Sequence, residues 1–256
     1  MQKKISSIIF VGIIFNILLL ANSSGFTAYA QSTVGCWVTQ IGTPREDIKK
    51  PECTTSNGTG GGSVDSEGFV YYCQMDPKWN PNGSTCMQNA GCGPTSFAMV
   101  MSTFGVQIDP LEVDTVFQST GWRPGCQAGS IWGAAIESQW FRDKGFEPGP
   151  NVGTDLTQMK NFLDQGYLII SSANNYPCLG CVNQGAGVGH VFVIDDVDIA
   201  TNRIRVRDPN NCNSATGEEN KQWMWVSLSG STNYENTSPY SAAGASWVAS
   251  YPVRKT

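Results

Sequence analysis

The sequence predicts an α+β fold in which helices pack on an antiparallel sheet, and three observations carry that expectation. Apolar residues recur at helical spacing through the middle of the chain, in stretches opened by capping residues or proline, several of them closed by glycine. Short runs rich in Val, Ile and Phe gather later, at 167–170, 191–194 and 204–206. Helices that come first, with strands collected in the last third, argue for segregated layers and not for an alternating parallel βαβ sheet.

Taken in order, the chain opens with Lys3-Lys4, an apolar run from Ile8 to Ala21, and Ala28-Tyr29-Ala30. These are the three parts of a secretory signal peptide, so 1–30 is expected to be a leader cleaved near Ala30 and the mature protein to be secreted. Its apolar core is too short to span a membrane comfortably, and no later stretch is long enough. A lipid anchor at Cys36 is the alternative, weakened by the distance of that cysteine from the apolar core. Residues 31–66 show little periodicity and contain Asn57-Gly58-Thr59-Gly60-Gly61-Gly62-Ser63, the composition of a flexible linker. A domain is expected from 67 to 256.

Within that domain Phe97, Val100, Met101 and Phe104 form one helical stripe, closed by Gly105. Asp109-Pro110 opens a second helix through Phe117, and Gly129-Ser130 a third from Ile131 to Lys144. Thr154-Asp155 caps a fourth that ends at Gly166, after which Tyr167-Leu168-Ile169-Ile170 reads as a buried strand. Val191–Ile194 and Ile204–Val206 read as two strands joined by a turn at Asp198–Arg203. The aromatics Trp122, Trp132, Trp140, Trp223 and Trp225 are expected mostly in the core, with a substrate groove as their other use.

Composition narrows the function classes. The chain carries 16 basic and 21 acidic residues, a formal charge of −5, and loss of Lys3 and Lys4 with a leader makes it more negative. Nucleic acid is therefore not an expected partner. Asn57, Asn82 and Asn236 stand in Asn-x-Ser/Thr sites, which matter only in a host that glycosylates them.

There are nine cysteines: Cys36, Cys53, Cys73, Cys86, Cys92, Cys126, Cys178, Cys181 and Cys212. Export favours disulfides, and an odd count leaves one thiol over. Sequence proximity points to Cys36 with Cys53 and Cys73 with Cys86, while a paired Cys92 with another thiol free stays open. Cys178-Leu179-Gly180-Cys181 lies among Pro177, Gly180, Gly185, Gly187 and Gly189, a loop setting that suits structural disulfides better than a redox pair or a zinc site.

The chain has one histidine, so a nucleophile that needs an imidazole base must use His190. Gly91-Cys92-Gly93-Pro94-Thr95-Ser96 places a thiol at the start of an apolar helix, where the helix dipole and unpaired N–H groups favour a thiolate and can hold an oxyanion. Folding the two late strands antiparallel about residue 200 brings His190 opposite 208–210, where Asp208-Pro209-Asn210 stands. Asp208 then orients the imidazole; the bland alternative makes it only a turn residue and His190 only the end of a strand.

Together Tyr72-Cys73-Gln74-Met75-Asp76-Pro77-Lys78-Trp79, the Gly91–Met101 segment, Gly189-His190-Val191-Phe192-Val193 and Asp208-Pro209 resemble the papain-like cysteine peptidases related to the double-glycine, bacteriocin-leader-processing family. The resemblance runs from about Phe69 to about Pro209. It implies a papain-like fold and hydrolysis of peptide bonds, with a peptide or protein as partner and without a cofactor or metal. It further implies Cys92 as nucleophile, His190 as general base and acid, Asp208 as its orienter and Gln74 as the oxyanion-hole side chain. Gln88 is the alternative to Gln74, because it stands nearer the nucleophile in sequence, as papain-like enzymes usually place this glutamine. A cell-wall amidase or endopeptidase using the same residues, and a non-catalytic exported binding domain of the same fold, are the competing expectations.

Overall fold

The computed structural model describes residues 62–81, 84–126, 128–174, 189–212, 224–227 and 246–256. The leader, the linker up to Gly61, the CxxC loop, Trp223 and the three Asn-x-Ser/Thr sites all lie outside the described residues.

Helices and an antiparallel sheet make up the described fold, which is α+β. A two-stranded hairpin, β1 (Ser63–Val64) and β2 (Val70–Tyr71), begins on the linker side of Ser66. It leads through a 3-10 turn at Pro77–Trp79, capped by Asp76, into α1 (Cys86–Ala90) and α2 (Cys92–Thr103). The helix α2 starts at the thiol itself and ends where Gly105, at φ 82°, adopts the left-handed conformation that glycine takes without a Cβ clash. Next come α3 (Pro110–Ser119), α4 (Trp132–Ile136), α5 (Gln139–Asp143), β3 (Phe146–Pro148) and α6 (Leu156–Asp164). The caps on α3 and α6 are those the sequence indicates. Asp109 and Glu112 form a reciprocal capping box, and Asp155 accepts from the Gln158 N–H.

The expected third helix is in fact two. Ser138 is extended, at ψ 158°, and its hydroxyl accepts from the Phe141 N–H. That side chain offers the backbone a cap in place of helix continuation, which breaks the run between α4 and α5. Nor does Ser130 cap α4, whose N-cap is Ile131 with no side-chain bond.

Strands β4 (Leu168–Asn174), β5 (Gly189–Asp198), β6 (Arg203–Arg207), β7 (Met224–Ser227) and β8 (Ser246–Lys255) join β3 in one antiparallel sheet, ordered β3-β8-β4-β5-β6-β7. β8 has no counterpart in the sequence reading, and it carries Pro252, a residue uncommon in strand interiors. The Pro252 carbonyl accepts from Gly149 at 2.7 Å, so its missing N–H faces the same side, beyond the end of the short edge strand β3. The ladder therefore loses nothing.

Helices cover both faces of this sheet. Val191 and Val193 join the core beneath α2, while Phe192 and Ile194 join the core beneath α6. Burial on both sides explains why this strand reads as a continuous apolar run and not as an alternation. Trp122, Trp132 and Trp140 pack into or against the α2 core, as expected, and Trp225 stacks with Arg203 at 5.5 Å.

The disulfides correct the expected Cys73–Cys86 pair, while Cys36 and Cys53 lie outside the described residues. Cys73 pairs with Cys212, at a Cα–Cα distance of 5.7 Å, and Cys86 pairs with Cys126 at 4.6 Å. Proximity along the chain misleads here because 69–74 is laid against 207–212. The Tyr71 hydroxyl donates to the Asp208 carbonyl at 2.6 Å, and the Gln74 N–H donates to the Pro209 carbonyl at 2.9 Å. Among the described residues Cys92 is the one free cysteine. Two disulfides are compatible with an exported protein, and among the described residues no helix is long and apolar enough to cross a membrane.

Candidate active site

Two glycines set the position of Cys92. Gly91 ends α1 and opens α2, its N–H donating to the Met87 carbonyl at 2.7 Å and its carbonyl accepting from Thr95 at 2.9 Å. A Cβ on Gly91 would stand 2.4 Å from the Met87 carbonyl oxygen, and one on Gly93 would stand 2.6 Å from Ser130 Oγ. Space, not backbone torsion, requires glycine on both sides of the thiol. Gly91→Ala drives a methyl into backbone that cannot yield, so a destabilisation of about 1–3 kcal/mol is expected, read as a lowered thermal midpoint.

His190 enters β5 opposite Ala173 and is buried. Its Nε2 donates to Asp208 Oδ1 at 2.7 Å, and the same oxygen accepts from the Asn210 N–H at 2.8 Å. Asp208 is fully buried, and the Tyr71 hydroxyl holds its main chain from the other side. With Nε2 committed to the carboxylate, Nδ1 is the ring nitrogen left for the hydrogen bond His190 shares with Cys92. Hairpin register thus brings His190 and Asp208 together as the sequence indicates, and α2 delivers Cys92 to the same point.

Burial is the largest influence on each ionisable group, and in both cases it is outweighed. It pushes the Cys92 thiol up, while the hydrogen bond and charge of His190, with backbone bonds from Val191 and Gly93, bring the thiol below its ordinary value. For His190, burial favours the neutral ring, but the charge and hydrogen bond of Asp208, followed by those of Cys92, raise it to about 10. Both shifts act in the same sense, toward a thiolate–imidazolium pair.

Gln74 is buried, its Nε2 donating to the carbonyls of Gln88 at 3.0 Å and Met87 at 3.4 Å. Its amide therefore rests on the last turn of α1, the helix that runs directly into Gly91 and Cys92. Gln88 is only half-buried, and its N–H donates to Asn80 Oδ1. Sequence reasoning missed Tyr71 and the Asn210 N–H, both of which fix Asp208. Tyr71 acts across distant segments, which no local pattern announces, whereas the Asn210 N–H closes a turn only two residues long on the carboxylate it fixes.

A buried thiol at a helix N-terminus, bonded to an imidazole that a buried carboxylate orients, has the parts required for acyl transfer through a thioester. A model of the Peptidase_C39 like family matches residues 67–242, more than half of the chain, a range that contains Gln74, Cys92, His190 and Asp208. The chain belongs to that peptidase family, whose members act on peptide bonds. No curated protein matches it.

Proposed function

We propose that this protein is an exported, papain-like cysteine peptidase that hydrolyses peptide bonds through Cys92, His190 and Asp208. In this reading 1–30 is a leader removed near Ala30, 31–66 is an extension and linker, and 67–256 is the catalytic domain. The observation that carries the reading is the hydrogen-bonded chain from Cys92 through His190 to a fully buried Asp208.

The Cys92 thiolate attacks the peptide carbonyl carbon and a C–S bond forms. Negative charge moves to the carbonyl oxygen, which the Cys92 N–H stabilises, the Gln74 amide joining as second donor by exchanging its longer bond to the Met87 carbonyl for the oxyanion. Collapse breaks the C–N bond, and the His190 imidazolium passes its proton to the leaving nitrogen. Neutral His190 then takes a proton from water, whose oxygen attacks the thioester and releases the acid and the thiolate. Throughout, Asp208 holds the ring tautomer and favours the imidazolium form.

The test is alkylation of the non-reduced mature protein by iodoacetamide from about pH 5 to 9, with the modified residue mapped by mass spectrometry. Cys92 labelling with an apparent pKa well below the roughly 8.5 of a free thiol is the expected result. Labelling like an ordinary thiol, or none, removes the catalytic assignment. Activity on purified cell wall and not on proteins would reassign the substrate to peptidoglycan stems.

A further inference from the structure

The thiol has two flanks. One faces β5, where Ser96 Oγ donates to the Val191 carbonyl and His190 meets Cys92. The other is taken from the next residue, Gly93, which lies against Phe117 of α3 and the hydroxyl of Ser130. His190 protonates the leaving nitrogen in the proposed reaction, so the leaving half of a substrate lies on the β5 flank. The acyl half then extends along the flank where Ser130 stands.

That flank is tied to the core at several points. Arg123, fully buried, pairs with Asp114 and donates to the carbonyls of Cys86 at 2.6 Å, Cys126 at 2.8 Å and Ala128 at 3.3 Å. The Cys86–Cys126 bridge and the Ile131 N–H to Trp122 carbonyl bond, at 2.7 Å, close the same loop. On it Ser130 Oγ is buried with no hydrogen-bond partner among the described residues, although a hydroxyl at such a depth normally has one. Gly129 presents bare backbone to open space, and Ile131 is 58% exposed. A large apolar side chain held out on a pinned loop, next to an unsatisfied hydroxyl that packs on Gly93, the residue after the nucleophile, is arranged for a ligand that has both a polar main chain and an apolar side chain.

We infer that Gly129-Ser130-Ile131 is the specificity rim for the acyl half of a peptide, Ser130 Oγ bonding the substrate main chain and Ile131 selecting an apolar side chain next to the scissile bond. The inference rests on the proposed role of Cys92. Its test uses peptidyl vinyl sulfones that carry Leu, Lys or Glu beside the warhead, with iodoacetamide as a probe that needs no recognition. Each peptidyl rate at Cys92 is divided by the same variant's iodoacetamide rate, which removes effects on the thiol itself. The intact protein is expected to prefer the Leu probe over the Glu probe by about tenfold or more. Ile131→Glu should move the preference to the Lys probe and Ile131→Lys to the Glu probe, while Ser130→Ala should slow all three by about fivefold. Equal rates for all probes, or an order unchanged in both charge variants, would overturn the inference. Failure of iodoacetamide to label the intact protein at Cys92 would instead overturn the peptidase reading, and the rim with it.

Discussion

His190→Ala is expected to lower kcat/KM by about 10²- to 10⁴-fold, the range associated with loss of a general acid and base. It should also push the Cys92 thiol above its ordinary value. Burial already acts in that direction and is the largest influence on this thiol, and the imidazole is what reverses it. Iodoacetamide labelling at pH 6–7 should therefore collapse together with turnover. Asp208→Asn dissects the effect. It keeps an acceptor for Nε2 but removes the charge that leads in raising His190 to about 10. Because His190 is held protonated below that value, losing the charge lowers the upper limit of the ion-pair window. The alkaline limb of the pH–rate profile should move down and the acid limb, set by Cys92, should move up. A profile unchanged in both limbs would sink the orienting role of Asp208.

The second large effect concerns Cys73–Cys212. This bridge closes a loop with a sequence separation of 139, whereas Cys86–Cys126 closes one of 40. In the chain-entropy view, removing the long one (Cys73→Ser with Cys212→Ser, so that no stray thiol remains) costs about 5 kcal/mol and removing the short one about 4 kcal/mol. Their positions separate them further. Cys73 precedes Gln74 and Cys212 follows the Asp208 turn, so the long bridge ties the oxyanion candidate to the carboxylate, while the short one ties α1 to the Ser130 rim. Denaturant unfolding should show a loss of stability in both double variants. Under conditions where each remains folded, kcat should fall in the Cys73/Cys212 variant, whereas KM should rise in the Cys86/Cys126 variant. Equal kinetics in the two would mean that the bridges act on stability alone.

The same bridges show where sequence reading stops. Cys92, His190 and Asp208 were legible because each rests on a short-range or exclusive signal. Gly91 to Pro94 marks a helix start, a single imidazole admits one base, and the Val191–Ile194 and Ile204–Val206 runs around one turn set a register. The α+β class and the caps at Asp109 and Asp155 were legible for the same reason, since periodicity and capping operate over three or four residues. The split of the third helix at Ser138 was not, because a serine hydroxyl satisfies the backbone equally well as a cap or in a bend. Strand β8 was not read from the sequence, and its Pro252 is tolerated where it stands beyond the end of β3.

What the sequence determined by itself is the chemistry available: one imidazole, one thiol poised at a helix N-terminus, and a carboxylate that hairpin geometry carries to the ring. What only the tertiary structure decided is which distant groups stand against them. The disulfide partners, the hold of Tyr71 on Asp208, the seat of Gln74 on α1 and the approach of Ser130 to Gly93 are all contacts between segments far apart in the chain. The division has a physical cause. Local preferences act through bonds and spacings within one turn or one hairpin, whereas long-range neighbours are selected by the packing of the whole core, in which many segments compete for the same surface.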